Sequence, residues 1–111
     1  MTLKQYKFCI QELPKYTDAD AYVSDIALSS IWEDSTSDEI PADRVEAIEK
    51  IWDAYHKSVK QIAADAGMTQ RSLAERFCIP LRTVEDWCAG KRTPPDYVRL
   101  MMQELLGMLQ I

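Results

Sequence analysis

"TQRSLAERFCIPLRTVEDW", residues 69–87, decides how the chain is read. Thr69 can cap a helix running from Gln70 to Phe77, with Leu73, Ala74 and Phe77 turned inward. Cys78, Ile79 and Pro80 then make a turn. A second helix follows from about Leu81 to Ala89, with Val84 and Trp87 inward and Gly90 closing it. Two helices crossing steeply over so short a turn need a small side chain where they approach, and Ala74 supplies it. Ile79, Val84 and Trp87 give the corner and inner face their apolar groups. The outer face of the second helix stays polar, with Arg82, Thr83, Glu85 and Asp86. Such a pair cannot bury its apolar faces alone, so further helices must close the core on either side.

Working outward, those helices can be picked out. Upstream, Val45, Ile48, Trp52, Tyr55, Val59, Ile62 and Ala66 recur at spacings of three and four. They predict an amphipathic helix of up to about 25 residues, roughly 37 Å long, started by Pro41 and ended by Gly67. It is either continuous or broken near His56. Residues 33–41, "EDSTSDEIP", read as an acidic loop. "TDADAYVSDIALSSIW" predicts another helix, capped by Thr17 or Asp18, with Val23, Ile26, Ala27, Ile31 and Trp32 on its apolar stripe. Residues 3–13 predict a short helix, with Leu3, Tyr6, Phe8, Ile10 and Leu13 sharing a side; Pro14 ends it. Downstream, Val98, Met101, Met102, Leu105 and Leu109 form a stripe expected to close over the corner. Leu100, Leu106, Met108 and Ile111 leave a second apolar face, for a homodimer contact or for cover by the first-half helices. The expected architecture is all-α with about six helices. Residues 1–56 form an acidic helical extension, and residues 57–111 a helix-turn-helix domain.

With 111 residues, 47% of them hydrophobic, the chain fits one small domain with an extension and is too apolar for a disordered chain. It has no apolar run of the ~20 residues that a membrane span needs, and its first residues lack a signal-peptide pattern, so a cytoplasmic location is expected. Cys9, Cys78 and Cys88 include no C-x-x-C pair, and the sole histidine, His56, has no partner at ligand spacing; reduced thiols and no metal or cofactor are expected. An enzyme is not expected either. A lone histidine without an evident nucleophile makes no triad, and there is no glycine-rich phosphate loop. Trp32, Trp52 and Trp87 read as core residues. The net charge of −5 is uneven: residues 68–111 carry six basic and five acidic side chains, residues 1–67 seven and thirteen. Binding to a polyanion depends on local charge, so the acidic total excludes nothing for the second half.

"AGMTQRSLAERFCIPLRTVEDWCAGKRTPP" resembles the Cro/phage-repressor-type (XRE-like) helix-turn-helix family over about residues 57–110. The matching features are Gly67–Gln70, the Leu73–Ala74 pair, the apolar corner at Ile79, Thr83–Val84 with Trp87, and Gly90–Pro95. The turn position usually held by glycine in that family is Cys78. A cysteine at positive φ is strained, so a different local conformation is expected there.

The resemblance implies that the second helix of the motif enters the major groove of double-stranded DNA while the first crosses the backbone. It makes Leu81, Arg82, Glu85 and Asp86 the base-edge candidates. Arg82 leads because a guanidinium can bond guanine O6 and N7 together. Glu85 or Asp86 would accept from a cytosine amine or orient Arg82. Gln70 and Arg71, at the N-terminus of the first motif helix, would meet phosphate, as would Lys91, Arg92 and Thr83. The expected function is a DNA-binding transcriptional regulator, a repressor acting by operator occupancy. The alternative is an antitoxin-like or adaptor protein whose acidic residues 1–56 bind a protein partner.

Overall fold

The computed structural model describes residues 1–32 and 40–109. The acidic stretch 33–39 and the last two residues, including Ile111 of the expected second apolar face, lie outside the described residues. Every regular element described is helical: α1 (Leu3–Glu12), α2 (Ala19–Ala27), α3 (Ala42–Tyr55), α4 (Val59–Asp65), α5 (Gln70–Phe77), α6 (Leu81–Cys88) and α7 (Asp96–Leu105), with a 3-10 turn at Leu13–Lys15 after α1. Among the described residues no helix is long and apolar enough to cross a membrane, and no three His, Cys, Asp or Glu side chains gather to hold a metal.

Among the described residues seven helices stand where about six are expected, because the long amphipathic pattern is broken near His56 into two. Periodicity runs through the break, but the first helix ends at Tyr55 and Ser58 caps the start of the next. Its hydroxyl accepts from the Gln61 N–H (3.2 Å), and the Gln61 side chain accepts from the Ser58 N–H (2.8 Å), a reciprocal capping box. Arg99 of α7 donates to the carbonyls of Tyr55 and Lys57, satisfying acceptors that the end of α3 leaves over. The second helix also stops earlier than its stripe implies. Asp18 is its cap, and Ala27 its last residue; Tyr22, Ile26 and Ala27 are the buried positions.

The chain divides into two compact units, Met1–Asp53 and a second beginning at Ala54, the boundary falling in the last turn of α3. In the first, Cys9, Leu13, Tyr22, Ile26, Ala27, Ile48 and Ile51 are buried. Leu3, expected on the inner side of α1, is 82% exposed, and Cys9 takes the inner position. The Tyr22 hydroxyl donates to the Cys9 carbonyl at 2.8 Å, and its ring lies 5.2 Å from that of Trp52. Trp32 is half-buried: its indole N–H donates to the Ile26 carbonyl at 2.8 Å, and the Arg44 guanidinium sits 4.6 Å from its ring centroid.

Burial pushes the Cys9 thiol up to about 11 from 9.0, and pushes the Tyr22 hydroxyl up as well. Both groups stay neutral in the fold while the unfolded chain would ionise them sooner. Their share of stability is intact below the ordinary thiol value and is lost as pH rises past it. Cys78, by contrast, is exposed. With a thiol-reactive chromophore at neutral pH, Cys78 should react first and Cys9 only once the chain is unfolded.

In the second unit, Val59, Ala63, Leu73, Ala74 and Val84 form the buried centre, with Met68, Phe77, Ile79, Leu81, Trp87, Cys88 and Leu106 packed against it. Val59 and Ala63 come from α4, Leu73 and Ala74 from α5, Val84 from α6. Three helices therefore meet on this centre, where Ala63 and Ala74 are the small side chains that let their axes approach.

The corner corrects one expectation. Cys78 does not escape the glycine conformation; it adopts it, with φ 55° and ψ 41°. The following amide makes this worthwhile, because the Ile79 N–H donates to the Ala74 carbonyl at 2.9 Å and closes the end of α5. A side chain in this left-handed region costs about 1 kcal/mol relative to glycine. Cys78→Gly should therefore raise stability by up to about that amount in thermal or urea unfolding.

The stripe expected on the last helix is also displaced. Met102 and Leu109 are buried as expected, but Met101 (54%) and Leu105 (59%) are exposed, and Leu100 and Gln103 are buried in their stead. Gln103 can sit inside because its amide donates to the carbonyls of Ala54 (2.8 Å) and Arg99 (3.2 Å). Tyr97, Met101 and Leu105, at successive i, i+4 positions, are left beside Phe77 and Ile79 as an exposed apolar groove.

Candidate nucleic-acid interface

Two helix starts frame the site. At α5, the Thr69 hydroxyl accepts from the Ser72 N–H at 3.0 Å, and the first helical bond runs from the Leu73 N–H to the Thr69 carbonyl. The N–H groups of Gln70 and Arg71 thus precede the helical ladder, at the positive end of the helix. At α6, Pro80 sets the entry: its carbonyl accepts from the N–H groups of Thr83 and Val84, and its ring makes no side-chain cap. Arg82 is the second residue of this helix, with its side chain 82% exposed.

Between these helices and α4 lies a cleft of about 490 Å³, lined by Lys60, Gln70, Arg82, Glu85, Asp86 and Lys91 among others. Its charged wall holds three cations and two carboxylates, a local excess of positive charge in an acidic chain.

Five of the nine sequence candidates meet on this wall: Gln70, Arg82, Glu85, Asp86 and Lys91. Arg92, exposed, reaches the same group through an ion pair with Asp86 (3.6 Å). Arg71 is exposed in the first turn of α5, and Thr83 is half-buried on α6. Leu81 is half-buried and packed against the core, so its side chain is spent on structure. Asp86 is buried at 8% exposure, with Arg82 (3.4 Å) and Arg92 on its two carboxylate oxygens, and presents little free edge to a base.

Lys60 was not among the sequence candidates. It stands ten residues before Gln70 and outside the helix-turn-helix pattern, but α4 packs against α6, which brings its outward positions to the cleft. The signal lay in the capping box at Ser58: it starts a new helix and so sets which side Lys60 occupies. Cys88 also lines the cleft; burial raises its thiol while the nearby Lys60 charge lowers it. His56, near which the sequence leaves a break open, is exposed just past α3, edge-on to Tyr55 with ring centroids 5.0 Å apart.

No protein-family model, curated protein or solved structure matches the chain. Because the Thr69 cap holds the first turn of α5 in place, Thr69→Ala should cost about 1 kcal/mol in thermal unfolding.

Proposed function

We propose that the chain is a cytoplasmic, sequence-specific regulator that binds double-stranded DNA and acts by occupying an operator, as a repressor does, with no catalytic step. The observation that carries this reading is the single cleft in which Lys60, Gln70, Arg82 and Lys91 gather beside the exposed start of α6. A recognition helix needs an exposed donor near its N-terminus, and Arg82 is one. Backbone contacts need cations and free N–H groups around it; Lys60, Lys91 and the first turn of α5 are placed to supply them. The resemblance of residues 57–110 to the XRE-like family points the same way.

On this reading Arg82 reads a base, Glu85 stands on its exposed flank, and Gln70, Arg71, Lys60, Lys91 and Arg92 meet phosphates, with Thr83 at the edge. Operators of such proteins are usually paired half-sites, which would require a homodimer. A second reading rests on charge: the excess of acids in residues 1–67 favours a basic protein partner bound through residues 1–56, as in an antitoxin or adaptor. The two roles are compatible in one chain.

Selection of bound sites from random duplex DNA, followed by titration at two salt concentrations, tests the proposal. The wild type should yield a defined motif, palindromic if the chain acts as a dimer. Arg82→Ala should relax one base pair of that motif and lose about 1–3 kcal/mol of discrimination there. Lys60→Ala should weaken binding to all sequences alike and lower the salt slope by about one. Absence of both motif and low-salt binding would refute the reading and turn attention to residues 1–56.

A further inference from the structure

Asp86 is the unexpected member of the cleft wall, a carboxylate with little exposure on a surface otherwise set up for phosphates. Its contacts run in two directions. Through its side chain, Oδ1 lies 3.4 Å from Arg82 Nε and Oδ2 lies 3.6 Å from Arg92 Nε. Through its main chain, the carbonyl accepts from the N–H of Lys91 at 2.9 Å and from that of Arg92 at 3.4 Å. One residue thus ties α6 to residues 91–92 by backbone and side chain together.

The choice of arginine atoms decides what Arg82 has left to offer. A guanidinium has five N–H donors in a fixed planar fork. With Nε turned to Asp86, the end-on pair of terminal amino groups remains for an outside ligand, and the side chain is 82% exposed. That pair needs two acceptors side by side. Guanine presents them as O6 and N7 in the major groove, whereas adenine pairs its N7 with an amino donor and cytosine offers a donor.

We propose that Asp86 is a positioning residue, which holds Arg82 end-on toward a guanine and couples that contact to the phosphate contacts of Lys91 and Arg92. The inference rests on the DNA-binding reading and adds to it the choice of Asp86 over Glu85 as the residue that orients Arg82, and the coupling of that contact to residues 91–92. A carboxylate near phosphates weakens binding to any duplex; here it sharpens the difference between duplexes. Rigid donors lose little freedom on binding the correct base and cannot adjust to a wrong one.

The test is a double-mutant cycle on discrimination between the selected site and the same site with its guanine replaced, using wild type, Asp86→Asn, Arg82→Lys and the double variant. Asp86→Asn keeps the shape and the main-chain carbonyl but removes the charge. It should cut discrimination at that one base pair by about tenfold, while affinity for unrelated duplex rises because a repulsive charge is gone. A purely structural role for Asp86 would lower both. Arg82→Lys keeps the charge without the fork and should relax the same base pair; the double variant should lose no more than either single one. Undiminished discrimination in Asp86→Asn, additive losses in the cycle, or a selected site with no G·C pair under Arg82 would overturn the proposal. Wild type that binds no duplex would overturn the DNA reading itself, and this inference with it, before any variant is compared.

Discussion

The passage from α5 to α6 depends on a single residue held in the left-handed conformation. With Cys78 at φ 55°, the chain reverses direction within one step, and the Ile79 N–H returns to the Ala74 carbonyl. A right-handed residue there would extend α5 and carry Ile79 away from the core. The position of α6, and with it the distance from Gln70 and Lys60 to Arg82, follows from that reversal. The strain at Cys78 is offset by what it makes available: the apolar contact at Ile79 and the close approach at Ala74.

On that frame, the electrostatics of the cleft are a balance of unlike parts. A wall of cations alone would hold any polyanion and choose among none. The buried carboxylate of Asp86 lowers the net charge and forms ion pairs with two arginines; on the proposed reading it also holds their remaining donors in place. The proposed function needs both effects, since attraction sets how often a duplex is met and rigidity sets which one is kept.

Much of this was legible in the residues. The Thr69 cap, the place of the turn at 78–80 and the limits of α5 and α6 follow from the sequence because caps, a proline and a small crossing residue are local signals; the left-handed backbone of Cys78 does not. Two features do not follow from hydrophobic spacing alone. Ser58 splits a hydrophobic period that looks continuous, because periodicity registers faces and not ends. Spacing puts Met101 and Leu105 in the core and leaves Gln103 out; a glutamine whose amide N–H groups are both satisfied by main-chain carbonyls takes the inner face instead. At the site, residue type pointed to Arg82 but could not show that Leu81 is half-buried, Asp86 enclosed and Lys60 near. Those facts belong to the packing of α4 on α6.

The placement of the three tryptophans has a spectroscopic consequence. Trp32 and Trp52 belong to the unit ending at Asp53, and Trp87 to the unit beginning at Ala54. The first unit therefore carries two indoles and the second one, in surroundings that differ: a guanidinium 4.6 Å from the Trp32 ring, a tyrosine ring 5.2 Å from that of Trp52, and the apolar centre of the second unit against Trp87. Intrinsic emission from chains that retain one indole apiece would report the melting of each half without an added label. Superimposed transitions would mark the two halves as one cooperative body, and separated ones as two that fold in turn.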